Sequence, residues 1–443
     1  MADEPQKSHG PIYKDRSFLG MLVTQFLGAF NDNVFKQILL FVCIDFAAGK
    51  READLQGLAT TVFAIPFIIL SGYCGFLSDK LSKRNLIVTS KVLEIVVMGL
   101  GGFAFLSGNI SIMMAVLFLM GAQSALFGPS KYGILPELFS EKDLPRVNGW
   151  ILMTTFLSII LGFAISGEIK EALNDDLWKA SYICVGIAIV GTLTALMVRK
   201  TPIANPDAKF EPSTLIVNSE TRRLIFKDRR LLWTLVATSV FWTTGGVVYP
   251  NATNDLGIKQ FGWGEAATGR LAACTGIGIA LGCLVAGYLS RNRFNGKLVR
   301  FGAIGMFLGL IVMALPSSSP ATIAIGVPGA IIGLIWLGFC AGLFTVPLQV
   351  FLQTATPRLH KGRIIGAMNL ANWIGMAMAG VYYSIWNQIF AIEGLNVPYN
   401  AMYGAAALLL LPLVLFYRPE SVDLNDISSE QSELQVAIAT PKS

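Results

Sequence analysis

The sequence predicts an all-α integral membrane protein with twelve transmembrane helices in two six-helix bundles. Three observations support this fold class. Of 443 residues, 53% are hydrophobic and only 14% are charged, whereas soluble domains carry about 25% charged residues. The apolar residues form stretches long enough to cross about 30 Å of hydrocarbon. A polar, proline-containing segment divides these stretches into two sets of six. The composition excludes a soluble enzyme, a disordered regulator and a nucleic-acid-binding protein.

The predicted elements follow in chain order. A polar N-terminal segment (1–16) precedes a first bundle (17–198), a linker (199–230), a second bundle (231–417) and a polar tail (418–443). The first six spans are predicted near 17–46, 55–78, 86–106, 111–135, 147–168 and 180–198. The second six are predicted near 231–253, 264–290, 298–316, 322–350, 364–391 and 399–417.

Lysine and arginine are distributed unevenly between the two sides of these spans. With both termini inside, the inner segments hold 25 of the 34 Lys and Arg residues, and the outer segments hold five. This asymmetry is typical of inner-membrane proteins and predicts that both termini and the linker are cytoplasmic. It also explains the net charge of +6 without an anionic partner such as nucleic acid.

Cysteine and histidine usage argues against an enzyme. All six cysteines lie in apolar runs without a CxxC pair, and the two histidines, His9 and His360, lie outside the spans. Buried cysteines of this kind behave as small hydrophobic residues. We therefore predict no metal site, no cofactor and no catalytic residues.

A loop with three basic residues, Lys80, Lys83 and Arg84, follows the second span. The string GFLSDKLSKR over 75–84 resembles the G-x-x-x-D-[RK]-x-G-[RK]-[RK] loop of the Major Facilitator Superfamily, with Ser82 where the pattern prefers glycine. The resemblance implies a conformational latch that opens and closes during transport. The alternative is a helix end with ordinary positive-inside charges. The predicted latch residues are Gly75, Asp79, Lys80, Lys83, Arg84 and Glu94.

Charged residues inside spans are the strongest candidates for function, because charge at membrane depth is energetically expensive. Asp32 lies deep in the first span between Asn31 and Asn33. We expect these three side chains to line a cavity, where Asp32 pairs with a cationic group of the substrate or with a coupling ion. Alternatively, Asp32 forms an intrahelical ion pair with Lys36, four residues later.

Lys131 lies about 10 Å from the inner end of the fourth span, in a segment with two prolines and two glycines. It either binds an anionic group such as a phosphate or extends to the cytosol. Lys131 and Asp32 are predicted to lie at different depths in the membrane. This difference suits a zwitterionic ligand that moves along a path between the two positions. Gln349 and Asn369 are candidate hydrogen-bond partners, unless they serve only interhelical packing.

Internal similarity supports a transporter. The end of the second span (72–84) has a weaker counterpart at 287–297, and the string around Arg146 and Gly149 has one around Arg363 and Gly366. Two six-helix halves repeated in parallel form the transporter plan in which the substrate site lies between the halves.

Three strings resemble the bacterial lysophospholipid transporter (LplT) family of the Major Facilitator Superfamily: FLGAFNDNVFK (26–36), SALFGPSKYGILPE (124–137) and SVFW (239–242). The resemblance covers about 17–418. It implies a secondary transporter that moves lysophosphatidylethanolamine-like lipids across the bacterial inner membrane by alternating access. Asp32 and Lys131 fall on the family's charged cavity positions. Tyr249 stands where some members carry an arginine.

The resemblance also implies partners. These are a lysophospholipid substrate, the lipid bilayer, a coupling ion (proton or sodium) and a cytosolic acyltransferase that re-acylates the product. The alternative function is a major facilitator exporter of drugs or other amphiphilic solutes. A membrane-embedded lipid-modifying enzyme would need a clustered nucleophile and base, which two histidines outside the spans do not provide.

Overall fold

The computed structural model describes residues 12–50, 55–173, 176–210, 217, 219–290, 293–317, 322–356, 358–390, 392, 397–424 and 426. Most of the predicted N-terminal segment and C-terminal tail therefore lies outside the described residues.

Helices account for most of the described chain. The α-helices are α1 (Arg16–Lys50), α2 (Leu55–Lys80), α3 (Lys83–Ser107), α4 (Ile110–Leu138), α5 (Leu144–Ala172), α6 (Trp178–Leu196), α7 (Ser219–Lys227), α8 (Arg229–Gly246), α9 (Glu265–Leu289), α10 (Gly296–Met313), α11 (Gly326–Thr354), α12 (Lys361–Phe390) and α13 (Ala401–Phe416). Two short strands, β1 (Arg293–Phe294) and β2 (Val422–Asp423), pair antiparallel.

The predicted fold class is confirmed. Ten of the described helices, α2 to α6 and α8 to α12, contain apolar stretches long enough to cross a membrane. The 35-residue α1 covers the first predicted span, and the 16-residue apolar α13 covers the last. The additional helix, α7, lies in the predicted linker.

Helix α3 shows how these helices distribute polarity. Its Lys91 and Glu94 side chains are each 1% exposed, while Val96 and Phe103 are 54% and 60% exposed. A water-soluble protein has the opposite arrangement, because charge prefers water and apolar surface avoids it. Apolar side chains outside and charges inside are expected where lipid is the surrounding solvent.

The seventh predicted span contains a break. Regular α-helix ends at Gly246. The chain then forms π-helical turns over Val247–Ala252 and Asp255–Gln260. Tyr249 has an extended backbone (φ −127°, ψ 121°). Pro250 follows it, and a proline disfavours helical conformation in the residue before it. The span is thus a helix with an irregular C-terminal part rather than one continuous helix over 231–253.

The chain forms two compact units. Unit 1 comprises Met1–Ser140, Leu157–Lys227 and Thr356–Leu370. Unit 2 comprises Glu141–Phe156, Asp228–Ala355 and Ala371–Ser443. Unit 1 therefore includes the first turns of α12, and unit 2 includes the first turns of α5.

Candidate functional site

The Asp32 carboxylate in unit 1 is held by neutral groups. The Ser124 hydroxyl on α4 donates to one carboxylate oxygen, and the Gln123 amide, 3.3 Å away, donates to the other. No ion pair joins Asp32 to Lys36 within the described part of the chain. The Lys36 ammonium lies 5.1 Å from the centroid of the Phe63 ring. The Asp32 carboxylate therefore has neutral hydrogen-bond donors and no ion-pair partner among the described residues.

A second buried network lies beside Asp32. The fully buried Asn31 amide donates to Glu94, at 2.8 Å, and to the Cys184 carbonyl oxygen on α6, at 3.2 Å. Glu94 also forms an ion pair with Lys91, one turn earlier on α3. The structure thus places the buried Glu94 beside Asn31 of the first span, and its partners among the described residues are Asn31 and Lys91 rather than residues of the 75–84 loop.

Lys131 has a different environment. Its side chain is 8% exposed, and its ammonium donates to the Gln25 amide oxygen on α1 at 3.0 Å. The ammonium also lies over the Tyr132 ring, 4.4 Å from the centroid, and 5.9 Å from that of Phe127. Among the described residues, no carboxylate lies within ion-pair distance of it. Lys131 is thus a buried cation with neutral neighbours, unlike Lys91.

The two charges lie at different levels of the same helix pair. Asp32 contacts Ser124, and Lys131 contacts Gln25. Each helix separates these contacts by seven residues, which corresponds to about 10 Å at 1.5 Å per residue. Both helices give the same offset, so the predicted difference in depth has a direct geometric basis.

The other predicted binding residues occupy varied positions. The Asn33 amide donates to the Ala29 carbonyl oxygen of its own helix, at 2.7 Å. Asn369 lies beside α4, because a Cβ placed on Gly128 would be 2.9 Å from its amide nitrogen. In unit 2, the buried Gln349 amide nitrogen has no hydrogen-bond partner among the described residues. Tyr249 forms the helix break. The structure therefore groups Asn369, but not Asn33, with the segment that carries Lys131.

The Asp79 carboxylate is fully buried at the start of α12. It accepts hydrogen bonds from the backbone N–H groups of Gly362, at 2.6 Å, and Arg363, at 3.0 Å. Backbone approach is close here, since a Cβ on Gly75 would lie 2.6 Å from the Gly362 carbonyl oxygen, and one on Gly366 would lie 2.5 Å from that of Ser71. We call this α2–α12 contact the first junction. A carboxylate at a helix N-terminus satisfies otherwise unpaired N–H groups and complements the helix dipole.

The basic loop residues bind within the first half of the chain. Lys83, fully buried, pairs with Glu137 on α4 at 2.5 Å. The Arg84 guanidinium donates to the Leu196 and Val198 carbonyl oxygens after α6. The Lys80 ammonium lies 5.5 Å from the centroid of the Phe76 ring. Lys83 and Arg84 thus bind α4 and the end of α6, whereas Asp79 is the acidic residue of α2 that accepts hydrogen bonds from α12.

Unit 2 contains an equivalent contact between α9 and α5. A Cβ on Gly287 would lie 2.9 Å from the Pro145 carbonyl oxygen and 3.1 Å from the Arg146 Cα, and one on Gly149 would lie 2.6 Å from the Cys283 carbonyl oxygen. We call this contact the second junction. The residues in contact are equivalent to those of the first junction, with one constant difference in residue number between α2 and α9 and another between α12 and α5. These two contacts explain why each unit contains the first turns of a helix from the other half of the sequence.

Gln25 and Gln123 were not predicted to belong to the site, and Ser124 was recognised only as part of the string 124–137. All three are polar side chains inside apolar spans, a signal available from the sequence. Neither amide is charged, so neither stood out beside Asp32 and Lys131. Their importance follows from their partners, which only the packing of α1 against α4 reveals.

Comparison with known proteins is consistent with this architecture. A sequence model described as Major Facilitator Superfamily matches residues 21–380. The chain is 26% identical to the lysophospholipid transporter LplT of Yersinia pestis (strain Pestoides F) over 398 residues, covering 86% of this chain and 88% of the relative.

Solved structures share the fold. The proton:xylose symporter XylE superposes with a TM-score of 0.74 at 14% identity, covering 95% of this chain and 99% of that one. The human organic anion transporter MFSD10 superposes with a TM-score of 0.72 at 14% identity, covering 91% and 100%. At such identities the likeness shows the fold alone. The family match covers most of the sequence, and the helices provide the spans of a multi-pass protein. The chain is thus a membrane transporter of the Major Facilitator Superfamily, similar to LplT.

Proposed function

We propose that this transporter moves lysophospholipids of the phosphatidylethanolamine type across the bacterial inner membrane by alternating access. The observation that carries the proposal is the buried Lys131 ammonium, which has a neutral amide and two aromatic rings around it instead of a carboxylate. Burying a cation without a counterion is unfavourable. A phosphate group from a ligand would supply the missing negative charge.

The headgroup of lysophosphatidylethanolamine carries an ammonium as well as a phosphate. Asp32 is the matching acid, since its carboxylate accepts hydrogen bonds only from the neutral Ser124 and Gln123 among the described residues.

The separation of the two charges supports successive binding positions. Asp32 and Lys131 are offset by about 10 Å along the helix axes, further than the two-carbon bridge of ethanolamine phosphate reaches. We therefore infer that the headgroup occupies a deep position beside Asp32 and a shallower position beside Lys131 in turn. Asp32 is also the position at which a coupling proton or sodium ion would compete with the ammonium.

The predicted orientation completes the proposal. With both termini cytoplasmic, Lys131 lies toward the inner end of α4, so the phosphate position is the one nearer the cytosol. A cytosolic acyltransferase would then meet the lysolipid as it leaves this position. The family resemblance supports this partner.

Uptake by the purified protein in proteoliposomes tests the proposal. Labelled lysophosphatidylethanolamine is supplied outside, with monoacylglycerol and an amphiphilic drug cation as comparison solutes. We expect saturable uptake of the lysolipid that monoacylglycerol, which lacks the phosphate, inhibits at least tenfold less effectively than unlabelled lysolipid does. Uptake of the drug cation alone would instead favour the alternative, a major facilitator exporter of amphiphilic solutes.

A further inference from the structure

The two junctions share a backbone arrangement but differ at one key position. Gly75 in the first junction corresponds to Gly287 in the second, and the contacts made by Gly366 correspond to those made by Gly149. With this register, the position of Asp79 corresponds to Arg291, which lies outside the described residues. An arginine side chain only donates hydrogen bonds. It cannot accept from the N–H groups that begin α5, as Asp79 accepts from those that begin α12.

A pair of amide side chains instead joins α5 of the second junction to α11, the helix that packs against α9. Asn148 on α5 donates to the Gln353 amide oxygen on α11 at 2.7 Å, and Gln353 donates back to the Asn148 oxygen at 3.1 Å. Both side chains are fully buried. The Asn148 amide also donates to the Leu144 carbonyl oxygen of its own helix, at 2.9 Å.

The first junction has no such pair. Pro129 and Pro347 mark the same point of α4 and α11, and with that register Gln353 corresponds to Leu135. The shift that relates Gly149 to Gly366 makes Asn148 correspond to Ile365. Leu135 and Ile365 are both fully buried and apolar. Among the described residues, the buried polar contact of each junction therefore lies at a different position: Asp79 in the first and the Asn148–Gln353 pair in the second.

The amide pair suits a contact that must form and break. Two reciprocal hydrogen bonds satisfy all four groups while the helices touch, and separation without water would leave buried polar atoms unpaired. Water that enters an opened junction can replace both bonds. The pair therefore favours two states, fully closed or opened and hydrated, over partial separation.

We propose that the Asn148–Gln353 amide pair holds the second junction closed in one state of the transport cycle, in place of the carboxylate that holds the first. The contact that closes the first junction then depends on the charge of Asp79, whereas the amide pair that closes the second junction is electrically neutral. This inference rests on the proposed alternating access. It does not depend on the identity of the substrate.

Spin-label distances across the second junction test the pair. Labels are placed at the exposed positions 142 and 297 by Lys142→Cys and Lys297→Cys, with the partly exposed Cys274 changed to serine. Double electron–electron resonance on the protein in nanodiscs, without lysolipid, gives the ratio of open to closed distances. We expect Asn148→Ala and Gln353→Ala each to raise this ratio about tenfold.

The double variant and a matched control make the test specific. Asn148→Ala/Gln353→Ala should equal either single variant, because the second change has no bond left to break. Thr154→Ala should leave the ratio unchanged, because among the described residues the Thr154 hydroxyl donates to carbonyl oxygens of its own helix. Unchanged ratios in the single variants, or an additive double variant, would overturn the proposal.

A cross-linking measurement covers the case in which the alanine variants do not fold. In Asn148→Cys/Gln353→Cys, a short bifunctional thiol reagent should abolish the open distances and stop transport. Cross-linked protein that still shows the open distances would refute the proposal that the Asn148–Gln353 pair holds the second junction closed. A failure of lysolipid uptake with the expected distances would instead count against the proposed substrate alone.

Discussion

Replacing Asp79 by asparagine tests the first junction. The carboxylate accepts two backbone hydrogen bonds from the first turn of α12, at 2.6 Å and 3.0 Å, in a fully buried position. Asp79→Asn keeps the size of the side chain and one acceptor oxygen. It removes the negative charge and converts the other acceptor into an amide donor that faces an N–H group.

The size of the effect follows from these contacts. A negative charge at a partly buried helix N-terminus contributes up to about 2 kcal/mol. This value matches the loss of one charge-assisted hydrogen bond, about 1.5–3 kcal/mol. We therefore expect Asp79→Asn to destabilise the closed first junction by about 2 kcal/mol, which raises the open-to-closed ratio about thirtyfold.

Labels at the exposed positions 81 and 359, introduced by Leu81→Cys and Leu359→Cys, report this ratio by double electron–electron resonance. Lysolipid binding by isothermal titration calorimetry should change less than threefold, whereas turnover in proteoliposomes should fall. Glu137→Gln is the matched control, because it removes a loop-side charge pair with Lys83 that does not involve α12. An unchanged distance distribution in Asp79→Asn, or an equal shift in Glu137→Gln, would refute the latch role of Asp79.

Three further predictions follow from other contacts. Asp32→Asn should reduce lysolipid uptake more than tenfold. Lys36→Met should reduce it less than threefold, because the Lys36 ammonium faces a Phe ring. Equal losses in the two variants, with rescue in the double variant, would instead support the intrahelical ion pair as the role of Asp32. Gly362→Ala should open the first junction in spin-label distances, because its methyl group would lie 2.5 Å from a carbonyl oxygen of α2; an unchanged closed distance would contradict this. His360 faces Glu220 at 3.4 Å, and burial lowers its pKa below the ordinary 6.5. The unfolded chain then binds more protons, so thermal stability should fall as pH drops through about 6.5, and His360→Gln should remove that part of the pH dependence.

The sequence predicted the fold because membrane spans carry a strong signal. Uninterrupted apolar length and the lysine and arginine asymmetry depend on local composition, and the predicted span ends agree with the helices to within a few residues. The exception is the seventh span, where regular α-helix ends at Gly246 and Tyr249, the residue before Pro250, has an extended backbone. A hydropathy window averages over such a residue, although its effect on the preceding backbone is a local rule.

The site was less accessible to sequence reasoning. Charge at membrane depth made Asp32 and Lys131 candidates, but it did not indicate which side chains lie around each of them. Glu94 was assigned to the latch because Lys91 lies one turn earlier. Its partner Asn31 is on another helix. Contacts between distant helices depend on rotation about each axis, which spacing within one span does not specify.

Binding by Lys131→Met tests the central claim that this ammonium recognises the phosphate of a lysolipid. Calorimetry with lysophosphatidylethanolamine and with monoacylglycerol compares the same acyl chain with and without the phosphate, and Lys36→Met serves as the control. We expect Lys131→Met to weaken lysolipid binding by about 1.5–3 kcal/mol, more than tenfold in Kd, and to leave monoacylglycerol binding unchanged. Equal affinity of the wild type and Lys131→Met for the lysolipid would contradict the account.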